Sequence, residues 1–346
     1  MTPSTPKPVG GSRTDAPPRA ATDPVPVLEI TGLKTRFRTR DGAVAAVDGL
    51  SLAVAPHEIL GLVGESGCGK STAALSIMRL LPPYAEIAAG RILLDGRDLV
   101  LLRDGEMRAL RGAKVSMIFQ DALTALDPTM TIGRQIMEPL RLHLRLSARD
   151  AARRARELLE TVGISAPARR LGQYPHEFSG GMRQRVMIAV ALACSPRLLL
   201  ADEPTTALDV TVQQQILGLL LRLRDQVDAG IILITHDVGV VSEVCDAVVV
   251  MYAGRKVEGG PTERVFTRPF HPYTRGLLGS TLGEEWDRDK PLPAIQGLPP
   301  DPTNLPCGCV FAPRCPRATD ICHAQAPLFE DHEPGHGSAC WHWEEA

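Results

Sequence analysis

The sequence predicts an α/β fold: a parallel-sheet core, a small antiparallel sheet against it, a helical insert, and a short irregular C-terminal cysteine-rich domain. Three observations predict this. The stretch Gly-Glu-Ser-Gly-Cys-Gly-Lys-Ser-Thr, residues 64 to 72, lies between an apolar run, Ile59 to Val63, and an apolar-periodic segment, Ala73 to Leu80. Three further runs, Val115 to Phe119, Leu198 to Ala201 and Ile231 to Thr235, are short and nearly all apolar, as buried parallel strands are. Cys307, Cys309, Cys315, Cys322 and Cys340 crowd the last forty residues, where Pro, Gly and His are frequent and periodicity fades.

Taken in order, residues 1 to 25 are Pro, Thr, Ala, Ser and Gly without periodicity, and predict a disordered tail. Strand patterns cover Val27 to Ile30 and Leu33 to Phe37. After an Asp41-Gly42 turn, strands follow at Val44 to Val47 and Leu50 to Val54, and another near Arg91 to Leu94 before Asp95-Gly96. These predict the antiparallel sheet. Ser147, with Asp150 three residues on, predicts the start of a helix that stops before Gly163. A second helix is predicted from Ser179 to a stop at Pro196, and a third over Val210 to Val227. A hairpin around Ala253-Gly254 closes the core, and the chain beyond about residue 265 reads as a separate appendage.

The chemistry is concentrated at strand ends. Strand, glycine-rich turn and helix is the context that makes G-x-x-x-x-G-K-[ST] a phosphate-binding loop. Its glycines let the backbone curl, so that the N–H groups of Gly64, Ser66, Gly67, Cys68, Gly69, Lys70, Ser71 and Thr72 form a nest for phosphate oxygens. Lys70 would reach the β- and γ-phosphates and Ser71 would carry Mg²⁺. Asp202 and Glu203 end the Leu198 run, where the first can hold Mg²⁺ and the second can orient and polarise an attacking water. Gln120 and His236 sit just past two other strands. Ligands of open parallel sheets bind at the carboxyl ends of strands, so all four belong to one crevice. There Gln120 can touch Mg²⁺ or the water, and His236 can donate to the γ-phosphate. Ser179, Gly180 and Gly181 open a helix away from that crevice. They form a second anion site suited to capping a γ-phosphate held by another subunit.

Composition narrows the classes. At 346 residues and 44% apolar, the chain can bury a sizeable core, and a net charge of -2 without a basic domain argues against a nucleic-acid protein. No charged leader with an apolar stretch opens the chain, and no run of about 18 uncharged apolar residues occurs. The expectation is a cytosolic protein, free to dock on a membrane partner. A cysteine cluster in a reducing compartment reads as metal or iron–sulfur ligation before disulfides. Four thiolates also suit tetrahedral zinc, His323, His332, His336 and His342 are conceivable alternative ligands, and the spacings decide between neither.

Together these motifs resemble the ATP-binding-cassette transporter ATPases. Residues 64 to 71 match the first phosphate loop, Gln120 the Q-loop and Ser179 to Met182 the signature. Leu198 to Glu203 match the second acidic motif, Ala207-Leu208-Asp209 the D-loop and His236 the switch histidine. Gln120-Asp121, Leu126-Asp127-Pro128 and the run from Tyr174 to Arg185 resemble, more narrowly, the D-type ATPase subunit of dipeptide and oligopeptide importers. So do Pro269 to Thr274 and Phe311 to Pro316. Where the family stacks an aromatic on adenine, this chain has Val44, leaving Phe37 or a neighbouring loop as the substitute. The intact Lys70, Asp202, Glu203 and His236 argue against a dead regulatory site. A soluble cassette protein would carry two cassettes or a long coiled coil.

The resemblance implies a P-loop NTPase cassette over residues 26 to 265. It has a RecA-like core, a helical insert at about 121 to 187 that receives a coupling helix, and an oligopeptide-transporter-type segment over 266 to 346. It implies ATP and Mg²⁺ as cofactors, Glu203 as water-activating base, and Ser179 and Gly181 acting in trans. A [4Fe–4S] cluster on Cys309, Cys315, Cys322 and Cys340 is implied too, with zinc the other occupant. The implied partners are a related F-type ATPase chain, two transmembrane permeases and an external peptide-binding protein, at the cytoplasmic face of the cell membrane. The solute is expected to be a dipeptide or oligopeptide, with nickel or another small solute the alternative.

Overall fold

The computed structural model describes residues 25–40, 42–206, 209–226, 229–280 and 294–345. Its strands, in chain order, are β1 (Leu28–Thr39), β2 (Gly42–Val54), β3 (Ile59–Val63), β4 (Ala85–Leu94), β5 (Arg97–Asp98), β6 (Val115–Ile118), β7 (Leu198–Asp202), β8 (Gly230–Thr235), β9 (Ala247–Tyr252), β10 (Arg255–Pro261), β11 (Glu330–Glu333) and β12 (His336–Ser338). They form two sheets. One is antiparallel, in the order β2-β1-β4-β5, and the other runs β11-β12-β10-β9-β3-β8-β7-β6. Strands β9, β3, β8, β7 and β6 are mutually parallel, so their carboxyl ends share one edge.

Burial on both faces explains the unbroken apolar runs. Leu60 and Leu62 of β3, Leu198 and Leu200 of β7, and Ile232 and Ile234 of β8 pack toward the antiparallel sheet and the helix Lys70–Met78. Their neighbours Ile59, Val63, Leu199, Ala201, Ile231 and Leu233 pack into a second core. That core includes the helices Ile132–His143, Ala148–Thr161, Gly180–Leu192 and Val210–Gln226. Period-two alternation between two apolar layers is what a strand covered on both sides requires.

The helix boundaries follow their caps. Ser147 accepts the Asp150 N–H and Ser179 the Met182 N–H, each satisfying an otherwise orphaned donor of the first turn. The tail at residues 1 to 24, Ala207 and Leu208 of the D-loop, Val227 at the end of the third helix and Asp41 of the first turn lie outside the described residues.

Two expectations are corrected. The strands expected at 44 to 47 and 50 to 54 are one strand, β2, whose register against β1 shifts between Lys34/Asp48 and Leu33/Leu50 around Gly49. The chain beyond residue 265 is not set apart from the core. It adds β12 and β11 to the central sheet beside β10, and Tyr273, Val310 and Phe311 lie within the core formed by the helices. Glu258 of β10, wholly buried, fastens this segment. It accepts N–H groups from Phe270 (2.7 Å) and His271 (3.0 Å) and bonds His336 Nε2 (2.9 Å).

Candidate functional site: the strand-end crevice

The phosphate loop joins β3 to the helix Lys70–Met78, and its glycines are demanded by contact. A Cβ at Gly64 would stand 2.2 Å from the Met251 carbonyl oxygen, and one at Gly69 2.2 Å from that of Ala46. Both residues also have positive φ, 150° and 103°. Lys70, nearly buried, donates to the carbonyls of Gly64 (2.7 Å) and Glu65 (3.0 Å).

The other groups arrive from adjacent strands, because β3, β8, β7 and β6 are neighbours in that order. Ser71 Oγ donates to Asp202 Oδ1 at 3.0 Å. Glu203, one residue past β7 and in the left-handed region (φ 46°), is the hub. It accepts from Gln120 Nε2 (2.9 Å) and Thr206 Oγ1 (2.9 Å), and its other oxygen lies 3.1 Å from His236 Nδ1. All six residues placed in the crevice from sequence, Lys70, Ser71, Gln120, Asp202, Glu203 and His236, meet there. Gln120 touches the Glu203 carboxylate. Thr206 was missed; a threonine three residues past an acidic pair carries no distinctive sequence pattern.

The two carboxyls are driven apart. Burial pushes Asp202 above its ordinary value, the Glu203 charge adds to this, and the Ser71 hydrogen bond opposes it. Burial works to raise Glu203 too. Hydrogen bonds from His236 and Thr206, with the charges of His236 and Lys70, outweigh it and hold that carboxyl below its usual range. An ionised carboxylate thus stands beside a hydroxyl–carboxylate pair whose hard oxygens suit Mg²⁺.

Ser179 is exposed at the start of its helix, and a Cβ on Gly181 would meet Val212 Cγ1 at 2.8 Å. Close packing of the two helices therefore requires that glycine, and neither residue joins the crevice. Phe37 packs on Tyr84 (ring centroids 6.0 Å apart). Val44 lines a cavity of about 160 Å³ beside Ser66 and Gly67, closed by Pro299, Pro300, Pro302 and Leu305 of the C-terminal segment. That wall could not be anticipated from motif spacing.

Cys309, Cys315, Cys322 and Cys340 all line one small cavity of about 20 Å³. Burial pushes the Cys309 and Cys315 thiols up, and Cys340 up to about 11. Cys307 is exposed and bonds the His323 carbonyl instead. Three of the conceivable histidine ligands are committed elsewhere: His336 to Glu258, His332 to Ser338 and His342 to Thr319. Among the described residues no group of three or more His, Cys, Asp or Glu is arranged to hold a single metal ion.

A P-loop core that gathers a lysine, a serine, two carboxylates, a glutamine and a histidine at its strand ends defines a nucleoside triphosphatase of the cassette type. Comparison with known proteins extends this. Residues 47–206 match the ABC transporter family, and residues 257–322 match the oligopeptide/dipeptide transporter C-terminal region. A probable peptide ABC transporter ATP-binding protein of Sinorhizobium fredii is 49% identical over 316 residues, 91% of this chain and 94% of that protein. A protein of Brucella melitensis described as a peptide import ATP-binding protein is 50% identical over 331 residues, 92% and 98% of the two chains. An ATP-binding cassette solved as a dimer in a post-hydrolysis state with ADP and phosphate superposes with a TM-score of 0.61 at 27% identity. It covers 68% of this chain and 98% of that one. CbiO1 from Clostridium perfringens, part of an ABC transporter complex, gives 0.59 at 27% identity over 70% and 91%. The chain belongs to the ABC transporter ATPases, and within them to the ATP-binding subunits of peptide importers: it hydrolyses ATP to drive import. Among the described residues no helix is long and apolar enough to cross a membrane.

Proposed function

We propose that Glu203 is the general base of this ATPase and that the crevice works as follows. The loop amides from Gly64 to Thr72, other than that of Glu65, hold the phosphates, and Lys70 and His236 offset charge on the γ-phosphoryl group. Ser71 and Asp202 would hold Mg²⁺, with Gln120 close by, and the ion would supply charge neutralisation at the phosphate oxygens. Water attacks the γ-phosphorus, its proton passes to the Glu203 carboxylate, and the bond to the ADP oxygen breaks. The carrying observation is that the Glu203 carboxylate stands one residue past β7 and is held by three partners, accepting from Gln120 and Thr206 and lying 3.1 Å from His236 Nδ1. The contacts with His236 and Thr206 keep it below its usual range. Glu203→Gln keeps the shape and removes the proton acceptor. Turnover should fall by about a hundredfold or more while ATP binding persists. Hydrolysis within about tenfold of the parent would remove Glu203 from that role.

The remaining assignments follow the resemblance. The chain is the D-type subunit, paired with a related F-type ATPase whose γ-phosphate is capped by Ser179 and Gly181 in trans. It lies on the cytoplasmic face of the membrane against two permeases served by an external peptide-binding protein. The receiving surface is the groove of about 950 Å³ between the helices Ile132–His143 and Ala148–Thr161. Met137 and Leu146 line it, and Leu142 is 67% exposed. Differential binding of ATP to the closed pair is what allows closure to move the permeases.

Cys309, Cys315, Cys322 and Cys340 would hold a [4Fe–4S] cluster. Four thiols on one cavity, with three of the four nearby histidines otherwise engaged, are a donor set that fits this group. The cavity as packed has room for little more than a water molecule, so loading requires its walls to part. Chain purified without oxygen should carry about four iron and four sulfide, lost on Cys315→Ser. Zinc without iron would overturn this and leave the ATPase intact.

A further inference from the structure

The residue that follows the phosphate loop's first glycine, Glu65, is gripped from far along the chain. Every polar group of Glu65 is engaged. Its N–H donates to the Tyr273 hydroxyl (2.8 Å), its carbonyl accepts from Lys70, and its carboxylate takes both ends of the Arg314 guanidinium, at 2.7 and 2.9 Å. Two of these three anchors come from the C-terminal segment, 208 and 249 residues away.

Arg314 is built for this contact. Its side chain is 5% exposed, against 26% for Glu65. All five donors are spent: Nε on the Gln296 carbonyl, one terminal nitrogen on Glu65 and the Tyr252 hydroxyl, the other on Glu65 and the Ile295 carbonyl. Tyr252, which ends β9, stacks obliquely on Tyr273 (4.6 Å) and edge-on to Phe311 (5.2 Å). The aromatic block fixes the guanidinium and the guanidinium fixes the loop. A planar five-donor fork can do this; a lysine, with three donors on a point charge, cannot.

We propose that Arg314 is a positioning residue for ATP hydrolysis, setting the phosphate loop through Glu65 so that its amides converge on the triphosphate. A glycine-rich loop gains its anion affinity from pre-aligned amides, and an unanchored one must be ordered by the ligand itself. Loss of the anchor therefore weakens ATP binding while the groups around Glu203 keep their geometry.

The test uses the full chain, with KM for ATP, kcat and direct ATP binding measured for Arg314→Lys, Arg314→Gln, Glu65→Gln and the double variant. Each single change should raise KM and the dissociation constant about tenfold, with kcat within about threefold. The double variant should be no worse than either single one, because both break the same contact. Full affinity in Arg314→Lys, or additive losses in the double variant, would overturn the proposal. If Arg314→Gln fails to fold, Glu65→Gln, at a partly exposed loop position, decides alone, and an unchanged KM there would overturn it equally.

Discussion

At the ends of β7, β8 and β6 the polar side chains hold one another and stand partly in solvent. The His236 side chain is 57% exposed and that of Glu203 14%. Beneath β10, Glu258 and His336 form the same pair of residue types at a similar distance, 2.9 against 3.1 Å, with both side chains essentially buried. Phe270 stacks on the His336 ring at 4.0 Å, and two backbone N–H groups complete the carboxylate. The same chemistry thus serves opposite ends. In the crevice, exposure leaves Glu203 and His236 able to trade partners when ATP and a second cassette arrive. Under β10, burial commits the pair to holding the C-terminal strands on the sheet.

That contrast predicts where a broken pair shows itself. Glu203→Gln, expected to cost about a hundredfold or more in turnover, should shift the unfolding free energy by no more than about 1 kcal/mol, because glutamine keeps an acceptor oxygen for Gln120 and Thr206 and the His236 side chain is 57% exposed. A fall of several kcal/mol would show that the crevice pair is structural after all. Glu258→Ala should do the reverse. Removing one partner of a buried pair costs about 3–5 kcal/mol, since the other is left without compensation. Because β12 and β11 continue the central sheet, thermal melting followed with and without ATP and Mg²⁺ should show one transition moved downward as a whole. A separate early transition, leaving the ATP-protected one in place, would restore the picture of a detached appendage.

The same contrast explains what could be read from the sequence. The crevice was legible because Gln120, Asp202, Glu203 and His236 follow apolar runs within two residues and Ser71 completes the phosphate-loop motif, so local order fixes each side chain's place once the sheet is parallel. Ser71, Asp202, Glu203, Gln120 and His236 needed no long-range information beyond strand adjacency. The C-terminal segment was misread because its cohesion is tertiary. β11 and β12 are four and three residues long, without alternation, and join the sheet beside β10, where the Glu258 side chain bonds His336 of β12. Arg314 was noticed only as part of the Phe311 to Pro316 wording, since nothing local marks an arginine whose partner is Glu65. The helix Ile132–His143 escaped for another reason: Pro139 lies inside it and reads as a breaker. Proline is tolerated there while Ile132, Ile136 and Leu140 are wholly buried on the face that packs into the core.

A more graded effect separates the two regions by pH. His271 is 2% exposed, and its Nδ1 accepts the Tyr273 N–H at 3.1 Å, capping the helix Pro272–Gly279. Burial pushes its pKa down from 6.5 to about 3. Between those values the unfolded chain binds the extra proton, so stability rises with pH. The contribution is complete above about 6.5 and is lost progressively as the pH falls toward 3. Glu203, held below its ordinary 4.5, begins to weaken only under that value. Mild acid should therefore loosen the aromatic block that carries Arg314 before it touches the crevice. Denaturant unfolding between pH 7 and 5 measures this. His271→Asn keeps an N-cap acceptor without the titration, and should flatten the slope by up to about 1.4 kcal/mol per pH unit. Parallel slopes would mean that the imidazole titrates alike in the folded and unfolded chain, and that the C-terminal block is as open to solvent as the site it supports.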